Sequence, residues 1–272
     1  MTNKRTGAFI QLLGNIMDYS DRQYKHGFWG GFANKQFGSV ISELSEFKGE
    51  KFLRLACTQL PVNSDKEKRR ILKEWIEALP TLDIEFLQLQ SHVPEKLIES
   101  VSKNTKLKGL YIKWTKAKSI SPIANMNNLK YLHIGSGAGI IDIDQIRQLG
   151  RLKVLTLENI RKTQDYSFLK SLGNLEFLSI EGGLHSVPVM DGLDSFIGHL
   201  INLKFLHVIA IRCPKPKIEE IKQLKKLVSL LGTFRFTDSE LVELKKTLTD
   251  LKYDQIFYDQ LQRENFPTMW PI

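Results

Sequence analysis

The sequence has only two cysteines, Cys57 and Cys213, among 272 residues. Two distant cysteines cannot form a disulfide framework or supply the ligands of a structural zinc site. Long apolar runs are also missing, so no segment has the length of a transmembrane helix. The N-terminal segment carries Asn15, Asp18 and Asp21 where a signal peptide would have its apolar core. We therefore expect a protein of the reducing cytoplasm.

Sequence motifs that support catalysis are missing as well. There is no GxSxG, HExxH or CxxC motif and no constellation of carboxylates. The stretch GSGAG at 135–139 lies where a phosphate-binding loop would lie, but it has neither the GK[ST] nor the GxGxxG pattern. A tight loop that needs positive φ angles explains its glycines better. Cys57 lies in a predicted strand, which favours a buried thiol over a nucleophile. We predict a protein that is not an enzyme and binds no cofactor or metal ion.

The sequence does contain a repeat, with the pattern aliphatic-x-x-Leu-x-aliphatic. It reads IEFLQL, LKGLYI, LKYLHI, LKVLTL, LEFLSI and LKFLHV from residues 84, 107, 129, 152, 175 and 203, with a weaker copy, LVSLLG, from 227. Successive copies start 23, 22, 23, 23, 28 and 24 residues apart. Apolar and variable positions alternate within each copy, which indicates a half-buried strand. The apolar residues that follow are spaced by three or four, which indicates a short helix.

This pattern resembles the leucine-rich repeat over roughly residues 82–250. The segments SISPIANMNNLKYLHI and YSFLKSLGNLEFLSI are similar to bacterial repeats of the internalin kind. The resemblance implies an α/β solenoid, in which a curved parallel sheet has short helices on its convex side, and protein binding through the concave face. The usual Asn or Cys three residues after each strand is replaced by His92, Thr115, Gly137, Ile160, Gly183 and Ile211. We therefore expect irregular loops.

The ends of the chain differ from the repeats, because a terminal repeat would otherwise expose its core. We predict an N-terminal cap region at 1–81, the repeats at 82–250 and a C-terminal cap or tail at 251–272. FLRLACTQL at 52–60 is interpreted as a strand at or next to the start of the array. A helix is predicted at 64–80, with Ser64 and Glu67 in a capping box. The stretch KHGFWGGFANKQFG at 25–38 is either an aromatic knot that closes the array, which we favour, or a recognition loop.

The strand pattern also predicts which side chains lie on the concave face. The first, fourth and sixth residues of each unit point inward, and the third, fifth and seventh point outward. Several outward positions are aromatic in adjoining units, and an aromatic surface rimmed by charge is typical of a binding site. The predicted partner-binding residues are Phe86, Tyr111, Lys113, Tyr131, His133, Glu158, Phe177, Glu181, Phe205 and His207. The alternative is that the chain's own tail or a neighbouring subunit covers this face.

The two copies of the motif LKxLH place His133 and His207 in equivalent outward positions, three units apart. Parallel strands are about 4.8 Å apart, so the two residues are separated by roughly 14–15 Å. One metal ion cannot bridge that distance, and a catalytic pair cannot act across it. We interpret both histidines as surface contacts.

The net charge is +9, with basic clusters at 66–70, 215–217, 225–226 and 245–246. Solvated helical faces explain most runs of this kind, and an acidic protein or nucleic acid is the alternative partner. The predicted function is non-enzymatic binding of another protein, of unknown identity, through the concave face. One alternative is an immunity or antitoxin protein that sequesters a toxin or effector there. A second is a nucleic-acid-binding or enzyme-associated protein that uses the basic helices or the 25–38 loop. No membrane partner is expected.

Overall fold

The computed structural model describes Trp29 and residues 36–61, 64–183 and 187–255. In this part of the chain, eight parallel strands form one sheet in sequence order. The strands are β1 (Phe52–Leu55), β2 (Phe86–Val93), β3 (Gly109–Thr115), β4 (Tyr131–Ile134), β5 (Val154–Glu158), β6 (Phe177–Glu181), β7 (Phe205–Ile209) and β8 (Ser229–Gly232). Each strand pairs with its neighbours in sequence, which confirms the predicted leucine-rich-repeat solenoid.

Short helices return the chain between the strands, on one side of the sheet. The α-helices are α1 (Asp65–Ala78), α2 (Glu95–Ser102), α3 (Ile218–Ile221) and α4 (Asp238–Thr247). The 3-10 helices span Leu44–Glu46, Ser121–Asn125, Ile143–Gln148, Ser167–Ser171 and Ile197–His199. A 3-10 helix rises about 2.0 Å per residue, against about 1.5 Å in an α-helix, so it spans the sheet with fewer residues. None of the described helices is long and apolar enough to cross a membrane.

The predicted helix at 64–80 is α1, and its N-terminus differs from the prediction in one detail. The side chain of Ser64 accepts a hydrogen bond from the backbone N–H of Glu67, at 3.4 Å. The carboxylate of Glu67 is held by Arg70 at 2.6 Å and does not close the predicted capping box. Trp75, on the buried face of α1, donates its indole N–H to the carbonyl of Ser42 at 2.7 Å. Together α1 and the segment at 41–47 pack against the first strand.

The inward positions of the repeat form one continuous core along the solenoid. Leu129, Leu132 and Ile134, which are the first, fourth and sixth residues of LKYLHI, are fully buried. β1 lies inside the region predicted as the N-terminal cap, and its Leu53 and Leu55 join the same core. Cys57 follows β1, and its burial raises the pKa of the thiol to about 12.

Asparagine side chains connect successive units at the edge of the sheet where the strands begin. In each case the side-chain amide donates to a backbone carbonyl of the preceding unit. The bonds run from Asn104 to Leu79 (2.7 Å), Asn128 to Thr105 (2.9 Å), Asn174 to Gly150 (2.7 Å) and Asn202 to Gly173 (2.9 Å). The consensus Asn or Cys is missing after the strands, but asparagines before the strands link successive units.

The glycines of GSGAG do not have the positive φ angles that the sequence suggested, so that prediction is wrong. The positive φ in this loop belongs to Ser136, at 50°, and the next loop has its positive φ at Asn159, at 56°. Gly135 is required for another reason. A Cβ atom on it would lie 2.2 Å from the carbonyl oxygen of Lys113, in the adjacent strand. Close approach of two backbones, rather than a left-handed turn, explains this glycine.

Candidate functional site

The predicted concave face lies opposite the helices and is here called the open face. Its side chains stand in register across the strands. One row consists of Phe52, Phe86, Gly109, Tyr131, Val154, Phe177, Phe205 and Ser229. The next row consists of Arg54, Gln88, Tyr111, His133, Thr156, Ser179, His207 and Leu231. Side chains from eight strands therefore share one surface, as the alternation of the repeat predicts.

The first row is mostly aromatic, and its rings touch. Phe52 stacks on Phe86 with ring centroids 4.5 Å apart and planes 6° apart. Phe86 also contacts Tyr131 at 5.9 Å, and Phe177 contacts Phe205 at 6.1 Å. Offset and tilted ring pairs of this kind add favourable energy to the area that they bury.

Two aromatic side chains from the N-terminal region pack on the first half of the open face. Trp29 contacts the ring of Tyr111 at 5.5 Å, and Phe37 meets Phe52 edge-on at 5.4 Å. Both Trp29 and Phe37 are buried. The guanidinium of Arg54 lies 5.3 Å from the centroid of the Phe37 ring, a cation–π contact. These contacts fit the aromatic-knot interpretation of 25–38, of which residues 25–28 and 30–35 lie outside the described part of the chain.

Gly109 makes room for this arrangement. It is the one position of the aromatic row without a side chain, between Phe86 and Tyr131. A Cβ atom there would lie 2.4 Å from Cδ1 of Phe86 and 3.0 Å from the indole ring of Trp29. The missing side chain therefore forms a notch into which both rings fit.

Replacing Gly109 by alanine should lower the free energy of unfolding by about 1–3 kcal/mol, because the methyl group overlaps rings that are already packed. Urea denaturation followed by circular dichroism measures this. Gly150→Ala is the matched control, since a Cβ at Gly150 meets nothing within 4 Å. The control should change the stability by less than about 0.5 kcal/mol. Equal stability of the two variants would show that the notch is empty in solution.

The predicted site residues differ widely in burial. Lys113 is exposed, and Phe86, Tyr111, Tyr131 and Glu158 are half-buried. The others are buried: Phe177 and Phe205 are 0% exposed, His133 2%, His207 5% and Glu181 6%. The expectation that all the predicted site residues are exposed to solvent is therefore wrong for these five residues.

The buried polar residues of the open face are held by identifiable neighbours. The ring of His133 stacks on Tyr111, with centroids 4.1 Å apart and planes 9° apart. His207 shares a 2.9 Å hydrogen bond with the hydroxyl of Ser229 and meets the Phe177 ring edge-on. The two histidines are thus packed side chains rather than the exposed surface contacts that the sequence suggested. They lie on β4 and β7, with two strands between them, so the predicted separation of three units is confirmed.

A cluster of polar residues lies at the end of the strands, beside the aromatic row. Glu158 and Glu181 are register partners on β5 and β6. Nε2 of His133 lies 3.5 Å from Glu158, and the hydroxyl of Ser179 donates to Glu181 at 2.7 Å. Burial, together with the charges of the two glutamates, raises the pKa of the Tyr111 phenol. Tyr111 therefore stays neutral. Among the described residues, no group of three or more His, Cys, Asp and Glu could hold a metal ion.

Several residues of the open face were not predicted from the sequence. Phe52 and Arg54 belong to the same two rows, but Phe52 precedes its partner Phe86 by 34 positions in the chain. The 14 residues of α1 lengthen this unit, so a search for a period of 22–24 misses it. The strand itself was predicted, within 52–60, and β1 confirms it. The alternation in FLRL, with both leucines buried, is the signal that could have added Phe52 and Arg54 to the predicted site.

Comparison with known protein families gives no match. Comparison with proteins of curated function also gives none. Among solved structures, the chain is similar to an internalin (inlF) of Listeria monocytogenes, with 20% identity, a TM-score of 0.48, and 79% of this chain and 58% of that chain covered. It is also similar to internalin C2 of the same species, with 19% identity, a TM-score of 0.48, and 64% and 73% covered. A leucine-rich-repeat protein of Leptospira interrogans has 18% identity, a TM-score of 0.36, and 63% and 55% covered.

Proposed function

We propose that this protein is a non-enzymatic binding module that holds a partner polypeptide against its open face. The observation that supports this function is the packing of Trp29 beside Tyr111 and over the notch at Gly109. Trp29, which is remote in sequence from these strands, already packs its large aromatic side chain on this face. An aromatic side chain of another protein can make the same kind of ring contact.

The composition of the open face favours tight contacts with polypeptides. Aromatic side chains bury a large area and lose few rotatable bonds, which is why they dominate the energetic centres of protein interfaces. Here they project from paired strands, so their positions are set before a partner arrives and little entropy is lost on binding. Charged side chains border them, with Lys113 and Glu158 on the solvent side.

The accessible part of the open face centres on Lys113, Tyr131 and Glu158. Phe177 and Phe205 are fully buried, so substituting them would disturb the fold together with the surface. The half-buried and exposed residues are therefore the right targets for a binding test. Their side chains can be shortened at little cost to the core.

The test is affinity capture with quantitative mass spectrometry, comparing the wild type with the Lys113→Ala/Tyr131→Ala/Glu158→Ala variant. We expect the partner that depends on the open face to be reduced at least about tenfold, as the loss of one energetic centre implies. The matched control is Ile141→Ala/Ile201→Ala/Val242→Ala, which shortens three exposed apolar side chains outside the strands. Recovery of the same partners at the same level by both variants would contradict the proposal. Circular dichroism melting establishes that both variants are folded.

A further inference from the structure

The edge of the sheet where the strands begin carries a row of charged side chains. The residue just before each of β3 to β7 is, in order, Lys108, Lys130, Lys153, Glu176 and Lys204. Backbone hydrogen bonds of 2.7–2.8 Å join each of these residues to the next. We call this row, with the flanking Arg151 and Lys226, the entry edge. Four of the five side chains in the row are cationic, and they stand on adjacent strands.

A groove of about 510 Å³ runs along the entry edge. Its charged lining consists of Lys130, Arg151, Lys153, Glu176, Lys204 and Lys226. Five cations therefore face one carboxylate. Lys130, Lys153 and Lys204 come from separate units, so no basic run in the sequence brings them together. Of the basic clusters in the sequence, only that at 225–226 contributes, through Lys226.

Among the described residues, Arg151, Lys226 and Lys130 of the groove have no carboxylate partner. Glu176 pairs with both Lys153, at 2.7 Å, and Lys204, at 3.1 Å. Arg151 and Lys226 instead donate to neutral partners, the side-chain carbonyls of Asn128 and Asn202. In the described part of the chain, Lys130 has no carboxylate at ion-pair distance. The groove therefore keeps a net positive charge.

Like charges at facing positions of paired strands destabilise a sheet. Lys108, Lys130 and Lys153 occupy three such positions in succession, on strands about 4.8 Å apart. Lys108 is paired with Glu85 at 2.6 Å and Lys153 with Glu176 at 2.7 Å, whereas Lys130 between them has no carboxylate partner among the described residues. An anionic ligand would supply the carboxylate that Lys130 lacks and gain charge-assisted hydrogen bonds.

We propose that the entry edge binds an acidic segment of a polypeptide. A polypeptide is favoured over a nucleic acid because the described residues that line the groove include no aromatic ring on which a base could stack. The edge adjoins the open face directly, since Lys130 precedes Tyr131 and Lys204 precedes Phe205. The inference rests on the proposed function in this respect, because one partner could occupy both surfaces.

The test is fluorescence anisotropy with a fluorescein-labelled oligoglutamate peptide, titrated with the full chain. The variant Lys130→Glu/Lys226→Glu removes two cations and leaves the bridge of Glu176 with Lys153 and Lys204 intact. We expect it to bind the peptide at least about tenfold more weakly than the wild type, since two attractive charges become repulsive. The matched control is Lys66→Glu/Lys73→Glu on α1, which changes the net charge equally at exposed positions. It should stay within about threefold of the wild type.

Equal affinity of the two charge-reversal variants would overturn the inference. Tighter binding of a single-stranded RNA of the same length and charge would also overturn it, in favour of a nucleic-acid surface. The Lys113→Ala/Tyr131→Ala/Glu158→Ala variant separates this inference from the proposed function. Retained oligoglutamate affinity in that variant supports a distinct entry-edge site, whether or not partner capture is lost. Loss of the affinity in that variant counts against such a site.

Discussion

Phe177→Ala is expected to lower the free energy of unfolding by about 3–5 kcal/mol, the usual cost of emptying a buried aromatic site. The side chain points to the open face of the sheet, where an uncovered residue would cost far less. In this structure, however, it is 0% exposed and contacts Phe205 and His207. Guanidinium denaturation, followed by circular dichroism, measures the change.

The control for this substitution is Ile201→Ala, because Ile201 is an aliphatic side chain that is 57% exposed. Its loss should change the stability by less than about 0.5–1 kcal/mol. If Phe177→Ala costs no more than the control, the second half of the open face is uncovered in solution. A large cost would instead show that this half is part of the folded core.

Trp75→Ala should be destabilising by a similar amount, about 3–5 kcal/mol, for a different reason. Trp75 is the largest fully buried side chain of α1, and its indole N–H is bonded to the carbonyl of Ser42. The substitution therefore removes core volume and leaves a backbone acceptor without its donor. It also loosens the contact between α1 and the segment that packs beside β1.

Trp75→Phe keeps an aromatic ring in the core but removes the N–H and one ring of the indole. It should cost about 2–3 kcal/mol, less than Trp75→Ala, because one buried hydrogen bond and only part of the core volume are lost. In a solenoid each unit contacts only its neighbours, so Trp75→Ala should raise hydrogen exchange in β1 and β2 before it does so in β6 and β7. Uniform exchange along the whole sheet would argue against such a local effect and for a fully cooperative array.

The architecture was predictable because the same pattern of apolar residues recurs in each unit. Each leucine of LKYLHI and its copies occupies an inward position, and the 22–24-residue spacing leaves room only for a strand and a short return. The register across the open face followed from the same alternation, since Tyr131, Val154 and Phe177 are one unit apart and pair in the sheet. The periodicity of the sequence was therefore sufficient to predict the structural features that all units share.

Features that occur once were not predictable in this way. The contact of Trp29 with Tyr111 joins two segments that share no pattern, so the repeat could not predict it. The groove at the entry edge was missed for the opposite reason. Lys130, Lys153 and Lys204 belong to separate units, so they form no basic run in the sequence and meet only when the strands pair.

The order of the strands has a consequence for the newly made chain. Because every strand pairs with its predecessor in sequence, each unit can dock on the previous one as it leaves the ribosome. Trp29 differs, since Tyr111, whose ring it contacts, is synthesised roughly eighty residues later. Until then, Phe52 and Phe86 lack this cover. A partner present during translation can therefore contact Phe52 and Phe86 before Trp29 packs against Tyr111.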